Sequence, residues 1–244
     1  MHKILAVGCS HTDYNFTSQF HPEMDTSWPK WPELFANKLG NSTCKNLGQS
    51  GVGNDIILKK ALYECSINSY DIVLVLWTEI TRIDIFDTYT INPCQNKTEP
   101  NKFNKLHEKI DWMQEGITKG FYRIEKSVES FFKNLFILQE YCKARSIKLV
   151  HAMASTPYGK VLEAKHDIIS HKILDLALDY QILLNSNLIG FPFIDLVVGT
   201  NMKAAIIKLI GRKKGFISEL DRHFSAEGQE IISDIFYEKF KTTY

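Results

Sequence analysis

The sequence predicts an α/β protein, a parallel sheet with helices on both faces. Three observations carry that expectation. Strand-like runs and runs with helical spacing alternate for most of the 244 residues. Residues 3–7 and 72–77 are short stretches dominated by Ile, Leu and Val, the composition of strands buried on both faces. Glycines punctuate the runs, at Gly8, at Gly40 and through 48–53.

Residues 3–7 form the first strand, which ends at Gly8, and a polar and aromatic loop leads away from it. Trp31, Leu34, Phe35 and Leu39 recur at helical spacing, and Gly40 stops that helix. A short strand over 43–47 runs into the glycine-rich turn 48–53, and Asn54 or Asp55 is placed to cap a helix that continues to about Cys65. Residues 72–77 are the third strand. From 79 to 120 the pattern loosens around Pro93 and Pro100, which predicts a long irregular excursion of the kind that covers sites. A strong helix over 121–145 repeats Ile124, Val128, Phe131, Leu135, Leu138 and Cys142 on one face. It feeds a fourth strand at 148–152. Residues 168–184 read as helix, 190–198 as a fifth strand interrupted by Pro192, and 225–240 as the closing helix. One domain is expected over 1–244, with irregular insertions near 79–120 and 155–215.

Composition narrows the function classes. A chain that is 44% hydrophobic can bury a core without staples. Lys and Arg number 29 against 28 Asp and Glu, so the net charge of +1 leaves no broad basic field for nucleic acid or an anionic membrane. The chain enters its first strand too soon for a signal peptide, and no stretch reaches the roughly 18 apolar residues of a membrane span. A soluble, cytoplasmic protein without stable membrane insertion is expected. Cys9, Cys44, Cys65, Cys94 and Cys142 form an odd, scattered set, as in a reducing compartment rather than a disulfide frame. The sequence carries no signal for an oligomeric state.

Three segments sit where such a sheet places its ligands, just past the carboxyl ends of strands or ahead of the last helix. The first is Gly8-Cys9-Ser10-His11-Thr12, where a serine leaves the sheet at a sharp turn. A serine there is also an ordinary turn or cap residue. The second, Asn46 through Asn54, has glycines that let a main-chain amide face a developing negative charge, or that make a plain flexible turn. The third runs from Asp221 to Gly228. An acid two residues before a histidine can fix the imidazole tautomer while the other ring nitrogen takes a proton from a nucleophile. Such a pair alone is a common surface loop. Together the segments hold every role that acyl transfer needs.

In this combination and order the segments resemble the SGNH, or GDSL, hydrolases, a family of esterases and acylhydrolases. Gly8-Cys9-Ser10 looks like the family's first block with Cys9 in place of the usual acid, 46–51 like the second, and 223–228 like the last, with Phe224 where proline is common. The resemblance implies a flavodoxin-like three-layer α/β/α sandwich with a central parallel sheet of about five strands. It implies Ser10 as nucleophile, His223 as base and Asp221 as the acid that orients it, with Glu219 as competitor because the family's acid stands three residues before the histidine, where Leu220 lies here. The amides of Ser10 and Gly51 are expected at the oxyanion. The family's third block contributes an oxyanion asparagine that this chain lacks after strand three. Thr78 or Arg82 is the candidate to replace it, since one lost donor costs about 2.7–4 kcal/mol of transition-state stabilisation.

His11, Asn54, Trp77 and Arg82 are the expected substrate contacts, although isolated tryptophans such as Trp28, Trp31, Trp77 and Trp112 also serve as core. Cys9 is an alternative nucleophile. His166 and His171, five apart, miss the spacing at which one helix face grips a metal, and the mechanism requires neither metal nor cofactor. Residues 202–214 read as a core helix with a solvated basic end, or as an amphipathic lid. The expected function is a serine esterase acting on a small acyl ester, such as an O-acetyl group on a carbohydrate. The alternatives are an acyltransferase using the same triad, and a binding protein that keeps the crevice but not the rate.

Overall fold

A computed structural model of the chain describes residues 1–80, 82–85, 89–91, 124–154, 179, 187–189 and 201–244. Within them, β1 (His2–Gly8), β2 (Ser42–Asn46), β3 (Ile72–Trp77), β6 (Lys148–Met153) and β7 (Leu188–Ile189) build one sheet in the order β2-β1-β3-β6-β7. Every pairing in it is parallel. Parallel strands need helical crossovers, and burial on both faces explains the apolar runs: Ile4 to Val7 and all of β3 have no exposure. The helices α1 (Trp31–Leu39), α2 (Asn54–Ile67), α3 (Ile124–Ala144) and α6 (Ala226–Thr243) cover the sheet. They pack in two pairs, α1 on α6 and α2 on α3. This is the doubly wound arrangement, with a switch point between β1 and β3 where the chain turns from one side of the sheet to the other.

Several boundaries differ from the sequence reading. The residue at the N-cap of α2 is Gly53, and no side chain of the helix itself caps it. Instead Asp84 accepts from the Gly53 and Ile56 amides at 2.7 and 2.9 Å, a carboxylate at the positive end of the helix brought from a distant element. Asp84 belongs to β4 (Ile83–Ile85), which pairs antiparallel with β5 (Tyr89–Ile91), so a short ribbon stands inside the stretch expected to be irregular. The fifth sheet strand is Leu188–Ile189, just ahead of the expected run at 190–198, which lies outside the described residues. The helix expected at 168–184 also lies outside them except for residue 179, as do His166, His171 and Trp112. Residues 202–214 divide into α4 (Met202–Ile210) and the short α5 (Arg212–Gly215), with Met202, Ala205 and Ile206 buried. No helix among the described residues is long and apolar enough to cross a membrane.

Candidate active site

The polar groups gather at the carboxyl edge of the sheet. After Gly8 the chain turns at once, with the Thr12 and Asp13 amides both donating to the Cys9 carbonyl at 2.9 and 3.1 Å. Gly8 is required there, because a Cβ would lie 2.2 Å from Thr12 Oγ1 and 2.9 Å from the Leu76 carbonyl oxygen. The loop after β2 is fastened to this turn. Asn46 Nδ2 donates to the Thr12 carbonyl at 2.8 Å, and Asp13 accepts from the Ser50 amide and hydroxyl at 2.8 and 2.7 Å. Gly48 permits that contact, since a Cβ would come within 2.5 Å of the Thr12 backbone. The segments bearing Ser10 and Gly51 are thus tied to each other before either meets a ligand.

A tight turn ahead of α6 delivers His223. Ser218 N donates to the Asp221 carbonyl and Ile217 N to the His223 carbonyl, both at 3.0 Å, and Ser225 caps α6 by accepting from Gly228 N at 3.1 Å. This closes a relay across the molecule. His223 Nε2 lies 2.8 Å from Ser10 Oγ, and His223 Nδ1 lies 2.5 Å from Asp221 Oδ1. A carboxylate can only accept, so Nδ1 carries the proton and Nε2 faces the serine with its lone pair. The two ends of the relay are buried, Asp221 at 1% and Ser10 at 8% exposure, while the His223 side chain between them is 31% exposed. Burial alone pushes the Asp221 carboxyl up, but the hydrogen bonds from His223, Ser18 and the His223 amide outweigh it and hold it at about 2.

The imidazole is sandwiched between rings. Phe16 stacks at 4.2 Å and His11 at 4.8 Å between centroids, and Phe224 in turn stacks on His11 at 4.1 Å. His11 is therefore a packing partner of His223. Burial, and then the positive charges of Lys203, His223 and Arg82, push its own pKa well below the usual histidine range, so the ring is neutral. Its buried Nδ1 has no hydrogen-bond partner among the described residues.

The structure separates the remaining candidates. Gly51 is exposed in the left-handed region at φ 81°, and among the described residues neither its amide nor that of Ser10 makes a backbone hydrogen bond. Thr78 follows β3, and its hydroxyl has no described partner. Arg82 ties the β3 exit to the glycine turn through Nη1 to the Val52 carbonyl at 3.2 Å, with Nε 3.9 Å from Glu79. Glu219 is exposed, while Asp221 makes the contact to the imidazole. Two expected substrate contacts are corrected. Trp77 has no exposure and donates from its indole to His151 Nδ1 at 3.0 Å, because the last residue of a strand covered on both faces points into the core. Asn54 is buried with its carbonyl oxygen on the Thr78 amide at 2.9 Å and its amide on the Thr78 and Glu79 carbonyls, which makes it the clamp of the β3 exit.

Sequence reasoning missed Ser18, whose hydroxyl donates to Asp221 Oδ2, and Ser218, which accepts from the Asp221 amide at 2.9 Å. Ser18 lies 203 residues from Asp221, and no local spacing announces such a partner.

No protein-family model and no curated protein matches the chain. Solved structures do match over nearly the whole length. A lipase/acylhydrolase from Enterococcus faecalis is 13% identical, covers 99% of this chain and 96% of its own, and superposes with a TM-score of 0.54. A protein described as a GDSL-like lipase, from Parabacteroides merdae, is 15% identical at 98% and 95% coverage with a TM-score of 0.53. An acetylxylan esterase from Geobacillus stearothermophilus is 14% identical at 98% and 94% coverage with a TM-score of 0.51. The sheet order and its helices are thus the flavodoxin-like α/β fold that these esterases and lipases share.

Proposed function

We propose that the chain is a serine esterase of the SGNH type, acting on a small acyl ester. The observation that carries this reading is the continuous contact from Ser10 Oγ through the His223 ring to Asp221 at 2.8 and 2.5 Å. In the reaction, Ser10 Oγ attacks the ester carbonyl while His223 Nε2 takes its proton. Asp221 stabilises the imidazolium that forms, and Ser18 and Ser218 hold Asp221. The negative charge on the carbonyl oxygen is received by the amides of Ser10 and Gly51 and by the Thr78 hydroxyl. The C–O bond to the alcohol then breaks, and His223 returns the proton to the leaving oxygen. Water, activated by the same nitrogen, releases the acid and frees Ser10.

The shared fold of an acetylxylan esterase supports an acetyl group on a carbohydrate as the substrate. Ser10→Ala should lower the turnover of a short p-nitrophenyl ester by about 10⁴-fold or more while the melting temperature stays the same. Unchanged hydrolysis would refute the reading. Capture of the acyl group by an added sugar alcohol in competition with water would reassign the second half-reaction to transfer.

A further inference from the structure

Ser18 sits in the segment between β1 and α1, residues 11–30, and one side chain fastens both ends of that segment. Gln229, 3% exposed on α6, accepts at Oε1 from the Trp31 amide at 2.9 Å and donates from Nε2 to the His11 carbonyl at 3.3 Å. Its own amide donates to the carbonyl of the capping Ser225 at 2.9 Å, so the segment is anchored to the first turn of the helix that His223 leads into. Inside the segment, the Lys30 ammonium donates to the Thr26 and Trp28 carbonyls, and the Thr26 hydroxyl donates to the Phe16 carbonyl. Two side chains reach from this folded segment onto the relay. Phe16 stacks on the His223 ring at 4.2 Å, and Ser18 donates to Asp221 Oδ2.

A carboxylate has two equivalent oxygens, and either could turn toward an imidazole. Here they are divided. Oδ1 accepts from His223 Nδ1 at 2.5 Å and from the His223 amide at 3.0 Å, and Oδ2 accepts from Ser18. Ser18 is itself oriented, because its oxygen accepts from the His21 amide at 3.0 Å and its hydrogen is directed to a carboxylate that can only accept. The ring of His21 meets Ser218 Oγ at 2.8 Å through Nε2, and that same hydroxyl oxygen accepts from the Asp221 amide. The segment thus reaches Asp221 both at its side chain and, through Ser218, at its backbone. Ser18 is 2% exposed and Asp221 1%, so removing the hydroxyl leaves Oδ2 buried without that donor, a loss larger than the net worth of the bond. The carboxylate is then free to turn, and any turn carries Oδ1 off the imidazole.

We propose that Ser18 is a positioning residue for the reaction, and that segment 11–30, fastened at both ends to α6, is the buttress that holds it on Asp221. This rests on the esterase reading and extends its relay by one member, from Ser10 through His223 and Asp221 to Ser18. Ser18 acts through Asp221 rather than on the ester, at the moment His223 takes the proton and becomes an imidazolium. Its contribution is therefore made in the transition state, and its loss shows in kcat rather than in KM.

The test measures two quantities on the full chain: turnover of a short p-nitrophenyl ester, and the downfield proton NMR resonance of the His223 Nδ1 hydrogen that faces Asp221. Ser18→Ala should lower kcat by about 10- to 100-fold with KM unchanged, and should displace or broaden that resonance. Ser18→Thr, which keeps the hydroxyl, should restore both. Wild-type kcat and resonance in Ser18→Ala would overturn the proposal. So would a loss of kcat that comes with a lower melting temperature while the resonance stays in place, since that is the mark of a merely structural role. Should Ser18→Ala fail to fold, Ser18→Cys, a weak donor of similar shape, should show the displaced resonance, and an unmoved one would overturn the role. Failure of the esterase reading is read separately, as hydrolysis that persists in Ser10→Ala. The resonance needs no turnover, so in that event its displacement in Ser18→Ala still supports the positioning role and its constancy still defeats it.

Discussion

The two ends of the same parallel strands treat their polar groups in opposite ways. At the amino end, Asp71 stitches three strands: its amide donates to the Lys3 carbonyl, its carbonyl accepts from the Lys148 amide, and its side chain accepts from the Lys3 amide at 2.7 Å. Close by, one oxygen of the buried Glu64 accepts from Lys45, Asn68 and Tyr70 at 2.7, 2.6 and 2.7 Å. The hydrogen bond from Lys45 first, and then that from Tyr70, draw its carboxyl below the usual range against the pull of burial. At the carboxyl end, the Ser10 and Gly51 amides and the Thr78 hydroxyl have no described hydrogen-bond partner, and Arg82 Nε has none beyond the Glu79 carboxylate 3.9 Å away. Unpaired polar groups cost stability wherever they are buried. Others occur elsewhere, such as Tyr141 and Ser233. What distinguishes the carboxyl end is the contact of Ser10 Oγ with His223 Nε2 at 2.8 Å: one edge stabilises the fold, and the other carries the candidate site.

The largest expected effect breaks the open edge at its centre. Asp221→Asn should cost about 10⁴-fold in kcat, because the amide turns the imidazole to the wrong tautomer. It should also cost about 2 kcal/mol of stability at neutral pH, from a carboxyl held at about 2 against an ordinary 3.8. A depressed carboxyl contributes above its unfolded pKa, so the difference from wild type should vanish as pH falls from about 4 to about 2. Denaturant melts across that range check it. A smaller loss is expected for Thr78→Val, about 10²–10³-fold in kcat with the fold intact, if its hydroxyl replaces the missing asparagine donor.

His151 sharpens the comparison from within the core. Burial, and then Lys239, hold its imidazole at about 3, so the folded state refuses a proton that the unfolded chain accepts near 6.5. Stability carried by this neutral ring is complete above 6.5 and is lost as pH drops toward 3. His151→Gln keeps an acceptor for Trp77 and should flatten that loss, by roughly 3 kcal/mol at pH 4. The smallest effect belongs to the closed edge. Glu64→Gln should lower stability by about 1–2 kcal/mol and leave ester turnover untouched.

What was legible in the sequence follows from range. β1 and β3 announce themselves because burial on both faces writes a continuous apolar run, and Gly8 marks the exit because no other residue fits against Thr12 and Leu76. Ser10 and His223, which meet at 2.8 Å, could be paired because each sits in a short segment at the end of an element. Asp84 on the α2 terminus and Ser18 on Asp221 could not. Each acts on a partner far along the chain through one side chain, which leaves no period to read. Trp77 and Asn54 were misplaced for the complementary reason. A residue's position at a strand end does not fix which way its side chain points, and here core packing and a backbone clamp claimed both.

The central claim is that Ser10 becomes acylated, and trapping that adduct tests it most directly. A fluorophosphonate probe on the intact chain, followed by peptide mass spectrometry, should find one adduct per chain on the Ser10 peptide and none in Ser10→Ala. A folded protein that stays unlabelled, or that carries the label on another side chain such as Cys9, would contradict it.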